Sequence, residues 1–146
     1  MDLPIMDKIP GKPRLLVAPL DWGLGHASRC IPIIHELMAQ GCEVWLAGEG
    51  YQENLLKEEF PQLTFLNIKG YRVNYAKSAM GLLMNMLRQT KKILHAIKNE
   101  NEWLKKIVAE FDIDAVISDN RYGMYHDSVP CIFITHQLTI KSPLGK

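Results

Sequence analysis

Leu15-Leu16-Val17-Ala18-Pro19-Leu20, followed at once by Asp21-Trp22-Gly23-Leu24-Gly25-His26, is the stretch on which the fold turns. The apolar run from Arg14 to Leu20 reads as a strand buried on both faces, as in a parallel sheet. The two glycines let the chain reverse and let backbone approach a ligand without a Cβ in the way. The amphipathic segment from Arg29 to Gln40 reads as a helix whose free N–H groups and positive dipole end point back at the turn, a setting for a phosphate or another anion. Gly23, Leu24 and Gly25 are therefore candidate phosphate contacts. His26 is the feature that anion binding alone does not need. An imidazole there suits a reaction that removes a proton from a hydroxyl.

Working outward, Pro32 places the start of the regular helix near Ser28 or later, or a bend at Pro32 itself, because proline lacks an N–H. Ile33, Ile34, Leu37 and Met38 line one helix face, and Gly41 ends it. Cys42–Ala47, Leu63–Ile68, Ala115–Ser118 and Cys131–Thr135 read as four further strands. Tyr51 to Phe60 reads as a short helix stopped by Pro61. Ser78 to Phe111 reads as mostly helical, with a break near Asn99. This order predicts an α/β fold, a Rossmann-like doubly wound parallel sheet of about five strands. Residues 1–13 read as a flexible leader, 14–140 as the domain, and 141–146 as the start of a linker.

In such sheets ligands sit at the carboxyl ends of the strands. Asp119 ends the fourth strand and His136-Gln137 follow the fifth. His26 with Asp119 makes a catalytic pair, since a carboxylate on one ring nitrogen fixes the tautomer and leaves the other free for a proton. The alternative is a histidine and an aspartate that cap local turns. Arg121, His136 and Gln137 complete the candidate substrate- and phosphate-binding set. Read as Gly-x-Gly-x-x-Gly, the turn has Ser28 for its third glycine, with Glu49 as the acidic residue of a nucleotide site. Met80, Met84 and Met86, beside several lysines, offer an apolar surface for a lipid-like acceptor, or one face of the core.

The chain's 146 residues, 47% hydrophobic and 23% charged, suit one globular domain, and a net charge of +1 does not imply nucleic acid. Three widely spaced cysteines, Cys30, Cys42 and Cys131, read as thiols of a reduced, cytoplasmic protein. No metal-ligand spacing appears among them.

Pro19-Leu20-Asp21-Trp22-Gly23-Leu24-Gly25-His26, with Arg29 and Pro32, resembles the opening of GT-B glycosyltransferases, nearest to the MurG-like and UDP-glycosyltransferase families. Val116-Ile117-Ser118-Asp119 resembles a later strand of those enzymes. Ile134-Thr135-His136-Gln137 is similar to the MurG-like His-Glu-Gln-Asn segment, without its glutamate. The resemblance implies an amino-terminal, acceptor-binding half of a GT-B architecture. Its donor would be a nucleotide-sugar, UDP-linked, held by a second domain, and no cofactor or metal would be needed. His26 would be the base of an inverting transfer and Asp119 its partner. The acceptor would be a small glycan or lipid-linked molecule, with peripheral membrane contact as a corollary. The fragment alone would be inactive. Rival readings are a nucleotide-sugar epimerase or NAD-dependent oxidoreductase on the same scaffold, and a non-catalytic glycan- or lipid-binding module.

Overall fold

The computed structural model describes residues 11–71 and 82–136, with 82–89 through their backbone only. The elements are β1 (Arg14–Pro19), α1 (Leu24–Ala39), β2 (Glu43–Gly48), α2 (Tyr51–Glu59), β3 (Thr64–Asn67), α3 (Leu82–Phe111), β4 (Ala115–Asp119) and β5 (Cys131–Ile134). The strands form one parallel sheet in the order β3-β2-β1-β4-β5. This is the expected doubly wound sheet. The strand order reverses between β1 and β4, the crevice where such sheets bind ligands.

The alternation of side chains along β1 divides the core between two layers. Leu15 and Val17 join Val44, Leu46, Ala115 and Ile117 on the face covered by Ile34 and Leu37 of α1 and Leu56 of α2. Leu16 and Ala18 join Ala47 and Val116 on the opposite face, under Leu104 and Ile107 of α3. Burial on both sides is why β1 and β4 read as unbroken apolar runs rather than as alternating ones.

Two expectations are corrected. Helix α1 begins at Leu24, not near Ser28, and runs through Pro32. Proline frees the carbonyl four residues back, here that of Ser28. Both residues are exposed, so water can satisfy it. An earlier start carries His26 into the first turn of the helix, where it is buried beside Ala27 and Cys30. The C-terminus follows the expected glycine stop. Gly41 has φ of 83°, its N–H donates to Met38 O at 3.0 Å, and the Cys42 N–H donates to Leu37 O at 3.0 Å.

The second correction concerns α3, which is one helix of 30 residues without a break at Asn99. The polar run Asn99-Glu100-Asn101 does not face solvent throughout. Glu100 and Asn101 are 3% and 5% exposed and turn inward to anchor the loop after β4. Asn101 Nδ2 donates to Gly123 O at 3.0 Å and to Tyr125 O at 2.7 Å. Met80, Met84 and Met86 as side chains, Gln137, the leader before residue 11 and the linker lie outside the described residues. No described helix is long and apolar enough to cross a membrane.

Candidate functional site

The crevice between β1 and β4 is built from three strand ends. After β1, the Leu20 N–H bonds to Asp119 O at 2.9 Å, which ties the first strand's exit to the fourth strand's end. Gly23 then takes φ of 75°, a left-handed conformation that suits glycine, and caps α1 without any side-chain bond. The first-turn amides are thus left without a side-chain cap, as an anion site requires. A Cβ placed on Gly25 would meet nothing within 4 Å, so the protein's own packing does not demand a glycine there. Gln52, at 2% exposure, braces the turn from α2. Its Nε2 donates to Leu20 O and, at 2.9 Å, to Gly23 O. A cleft of about 460 Å³ opens beside this turn, lined by Asp21, Gly23, Leu24, Glu49 and Gln52.

His26 and Asp119, 93 positions apart, meet here. His26 Nδ1 lies 3.2 Å from Asp119 Oδ2, and the Asp119 side chain is fully buried. No hydrogen bond to His26 Nε2 occurs among the described residues. His136, exposed, stands on the same rim with its ring centroid 5.9 Å from that of His26. Its Nδ1 is 3.4 Å from Asn120 Nδ2. Asn120 itself adopts φ of 56°, a region where asparagine is among the better-tolerated residues. Gly23, Leu24, Gly25, His26, Asp119 and His136 therefore share one rim.

Arg121 does not join them, which corrects its assignment as a phosphate contact. Its side chain is fully buried behind the rim. Nη1 bonds to Glu100 Oε1 at 2.5 Å and Nε to Pro19 O at 2.8 Å. Glu100 Oε2 accepts in turn from the Tyr71 hydroxyl at 2.7 Å and from the Gly123 N–H at 2.8 Å. Burial first, and the Glu100 charge second, push the Tyr71 hydroxyl's pKa well above the ordinary tyrosine range. This network supports the rim from behind, and the Arg121 guanidinium within it is fully buried.

The residue that sequence reasoning left without a role is Arg29. Its Nε donates to Asp119 Oδ2 and its Nη2 to Asp119 Oδ1, both at 2.9 Å, a bidentate grip. Nη2 also lies 2.9 Å from His26 Nδ1, and Nη1 lies 3.4 Å from His136 Nδ1. The signal was legible: Arg29 follows His26 by three residues, and i, i+3 side chains on a helix share a face. Cys30, buried under the same carboxylate, has its pKa raised to about 12, by burial first and the Asp119 charge second. It is a packed thiol, not a nucleophile. Glu49 is also engaged, since its Oε1 accepts from the Gly70 N–H at 2.7 Å.

No protein-family model matches the chain, and no curated protein matches it in sequence. Solved structures match it in fold. LpCGTa in complex with UDP aligns over 86% of this chain at 14% identity, with a TM-score of 0.58. The glycosyltransferase SnogD from Streptomyces nogalater aligns over 86% at 20% identity, with a TM-score of 0.54. The chain spans 30% and 36% of those two proteins. The carboxyl-terminal domain of a Pyrococcus furiosus hydrogenase also aligns, over 86% of this chain and 95% of that one, at 14% identity and a TM-score of 0.50. The fold is thus the Rossmann-like α/β sheet found in GT-B glycosyltransferases. That sheet also serves other chemistry, so function must be argued from the site.

Proposed function

We propose that this chain is the amino-terminal, acceptor-binding domain of an inverting GT-B glycosyltransferase. His26 is the general base and Asp119 its partner. The observation that carries the reading is the meeting of His26 Nδ1 and the buried Asp119 carboxylate at 3.2 Å, at the switch point of the sheet. His26 Nε2 takes the proton of an acceptor hydroxyl. The oxygen attacks the anomeric carbon of a nucleotide-sugar and the nucleotide leaves with the bonding pair. Asp119 stabilises the imidazolium that forms.

The uncapped first turn of α1, with Gly23, Leu24 and Gly25, faces the donor's phosphates, and His136 holds a polar group of either substrate. The UDP bound by one structural neighbour supports a UDP-linked donor. Most of that nucleotide would be held by a second domain. The pocket of about 500 Å³ beside Ile68, Tyr71, His95 and Trp103, at the end of β3, is a suitable place for the acceptor's apolar body.

The test is His26→Ala in the full-length protein, assayed for transfer from UDP-sugars. A general base is worth about 10²–10⁴-fold in rate. Loss in that range, with UDP binding retained, is expected; transfer near the wild-type rate refutes the assignment. Calorimetry on the same protein separates the rivals, since tight binding of NAD without binding of UDP overturns the reading.

A further inference from the structure

His26 Nδ1 has two polar neighbours with opposite demands. Asp119 Oδ2, at 3.2 Å, favours a proton on Nδ1. Arg29 Nη2, at 2.9 Å, brings its own hydrogen and requires a bare nitrogen. A guanidinium offers five donors and no acceptor, and it does not deprotonate in proteins. The arginine contact is the shorter of the two. Nη2 carries two hydrogens and lies 2.7 Å from Asp119 Oδ2 and 2.9 Å from both Asp119 Oδ1 and His26 Nδ1; with Nε already donating to Oδ2, one hydrogen serves the carboxylate and one is left for His26. Asp119 has both oxygens engaged by Arg29 without any help from the imidazole. The single ring proton of neutral His26 therefore belongs on Nε2. In that tautomer Nε2 donates, and it cannot accept a proton from a hydroxyl.

We infer that Arg29 is a positioning residue that gates His26: seated on Asp119 it holds the imidazole as the Nε2–H tautomer, and the ring becomes a base only when Nη2 leaves Nδ1. Nδ1–H then donates to Asp119 Oδ2 and Nε2 is bare. The exchange conserves protons, because the one given up at Nε2 to solvent is matched by one taken up at Nδ1. Arg29 has a side chain 36% exposed, and among the described residues its outer nitrogen has one long 3.4 Å contact, to His136. Among the described residues, Asp119, Arg29 and His136 are the charged or titratable side chains in contact with the ring, with the Cys30 thiol beneath the carboxylate. The catalytic meaning of the gate rests on His26 being the base, but the tautomer is a property of the chain itself.

The tautomer is read directly by long-range proton–nitrogen NMR of the neutral ring, with the His26 signals assigned by their loss in His26→Gln. In the wild-type chain an imine-type shift is expected at Nδ1 and a pyrrole-type shift at Nε2. In Arg29→Met, which keeps the alkyl stem and removes the donors, the two shifts are expected to exchange. A pyrrole-type Nδ1 in the wild type overturns the inference, and that measurement needs no variant to fold. An unchanged pattern in folded Arg29→Met overturns it too. Either result leaves the His26→Ala rate test standing, and failure of that test leaves the tautomer assignment standing.

Discussion

The buried pair Arg121–Glu100 offers the sharpest test of how the rim is supported. Their side chains are 0% and 2% exposed, and they join the loop after β4 to α3. Glu100→Gln changes almost no volume, so no cavity contributes to the result. It replaces the carboxylate by a neutral amide and leaves the Arg121 charge buried without a counter-charge, with only neutral acceptors, the new amide oxygen and Pro19 O, at its described contacts. Nη2 of Arg121 already has no hydrogen-bond partner among the described residues, so little else there can take up the charge. A guanidinium cannot escape by losing its proton. Breaking a buried pair in this way costs about 3–5 kcal/mol. With a urea slope of about 1–3 kcal/mol per molar, the unfolding midpoint should fall by roughly 1–5 M. Arg121→Met should cost less, about 2 kcal/mol, since Glu100 keeps the Tyr71 hydroxyl and the Gly123 N–H and a stranded carboxyl can take up a proton. Urea titration followed by far-UV circular dichroism reads both variants. The reasoning fails if Glu100→Gln shifts the midpoint by less than roughly 0.3 M, or if Arg121→Met is the more damaging of the two.

Two further outcomes are expected. Gly123→Ala would set a Cβ 2.5 Å from the backbone oxygen of Ile97 and 2.7 Å from Glu100 Oε2, so the loop must lift from α3; a loss of about 1–3 kcal/mol is expected in urea, and a neutral result would show that the loop is not packed as described. Cys30, with its pKa raised from 9.0 to about 12, stabilises the fold as a neutral thiol, a contribution fully present below pH about 9 and lost as pH rises toward about 12; the stability advantage of the wild type over Cys30→Ala should shrink across that window, and an advantage that grows there would contradict the burial.

The fold was legible because its signals are local or periodic. The unbroken runs at Leu15–Leu20 and Ala115–Ser118 required strands covered on both faces, and Gly41 marked a helix end whose bonds the structure supplies. The two misreadings share a cause. Intrinsic propensity alone breaks the helix at Pro32 and at Asn99, yet the exposed position of Ser28 tolerates the proline, and Glu100 and Asn101 turn the polar run to use against the loop. Propensity ranks a residue before its neighbours are known.

For the site, the turn pattern and the strand-end rule were enough to place His26, Asp119 and His136 on one rim, because topology alone brings strand ends together. They could not separate Arg121 from that rim. A residue two positions past a strand end can face the crevice or the layer behind it, and here the buried carboxylate of Glu100 on α3 decided for the layer behind. Nor could they say which nitrogen of His26 carries the proton. That depends on a bidentate contact between Arg29 and Asp119, residues 90 positions apart, and on less than half an ångström between two contacts to Nδ1. The sequence by itself determined the sheet, the crevice and most of the side chains at its edge, because hydrophobic periodicity and glycine turns act over short stretches of chain. The tertiary structure alone decided which of those charges face the crevice and which neutralise one another behind it, because a charge's partner is set by packing and not by spacing along the chain.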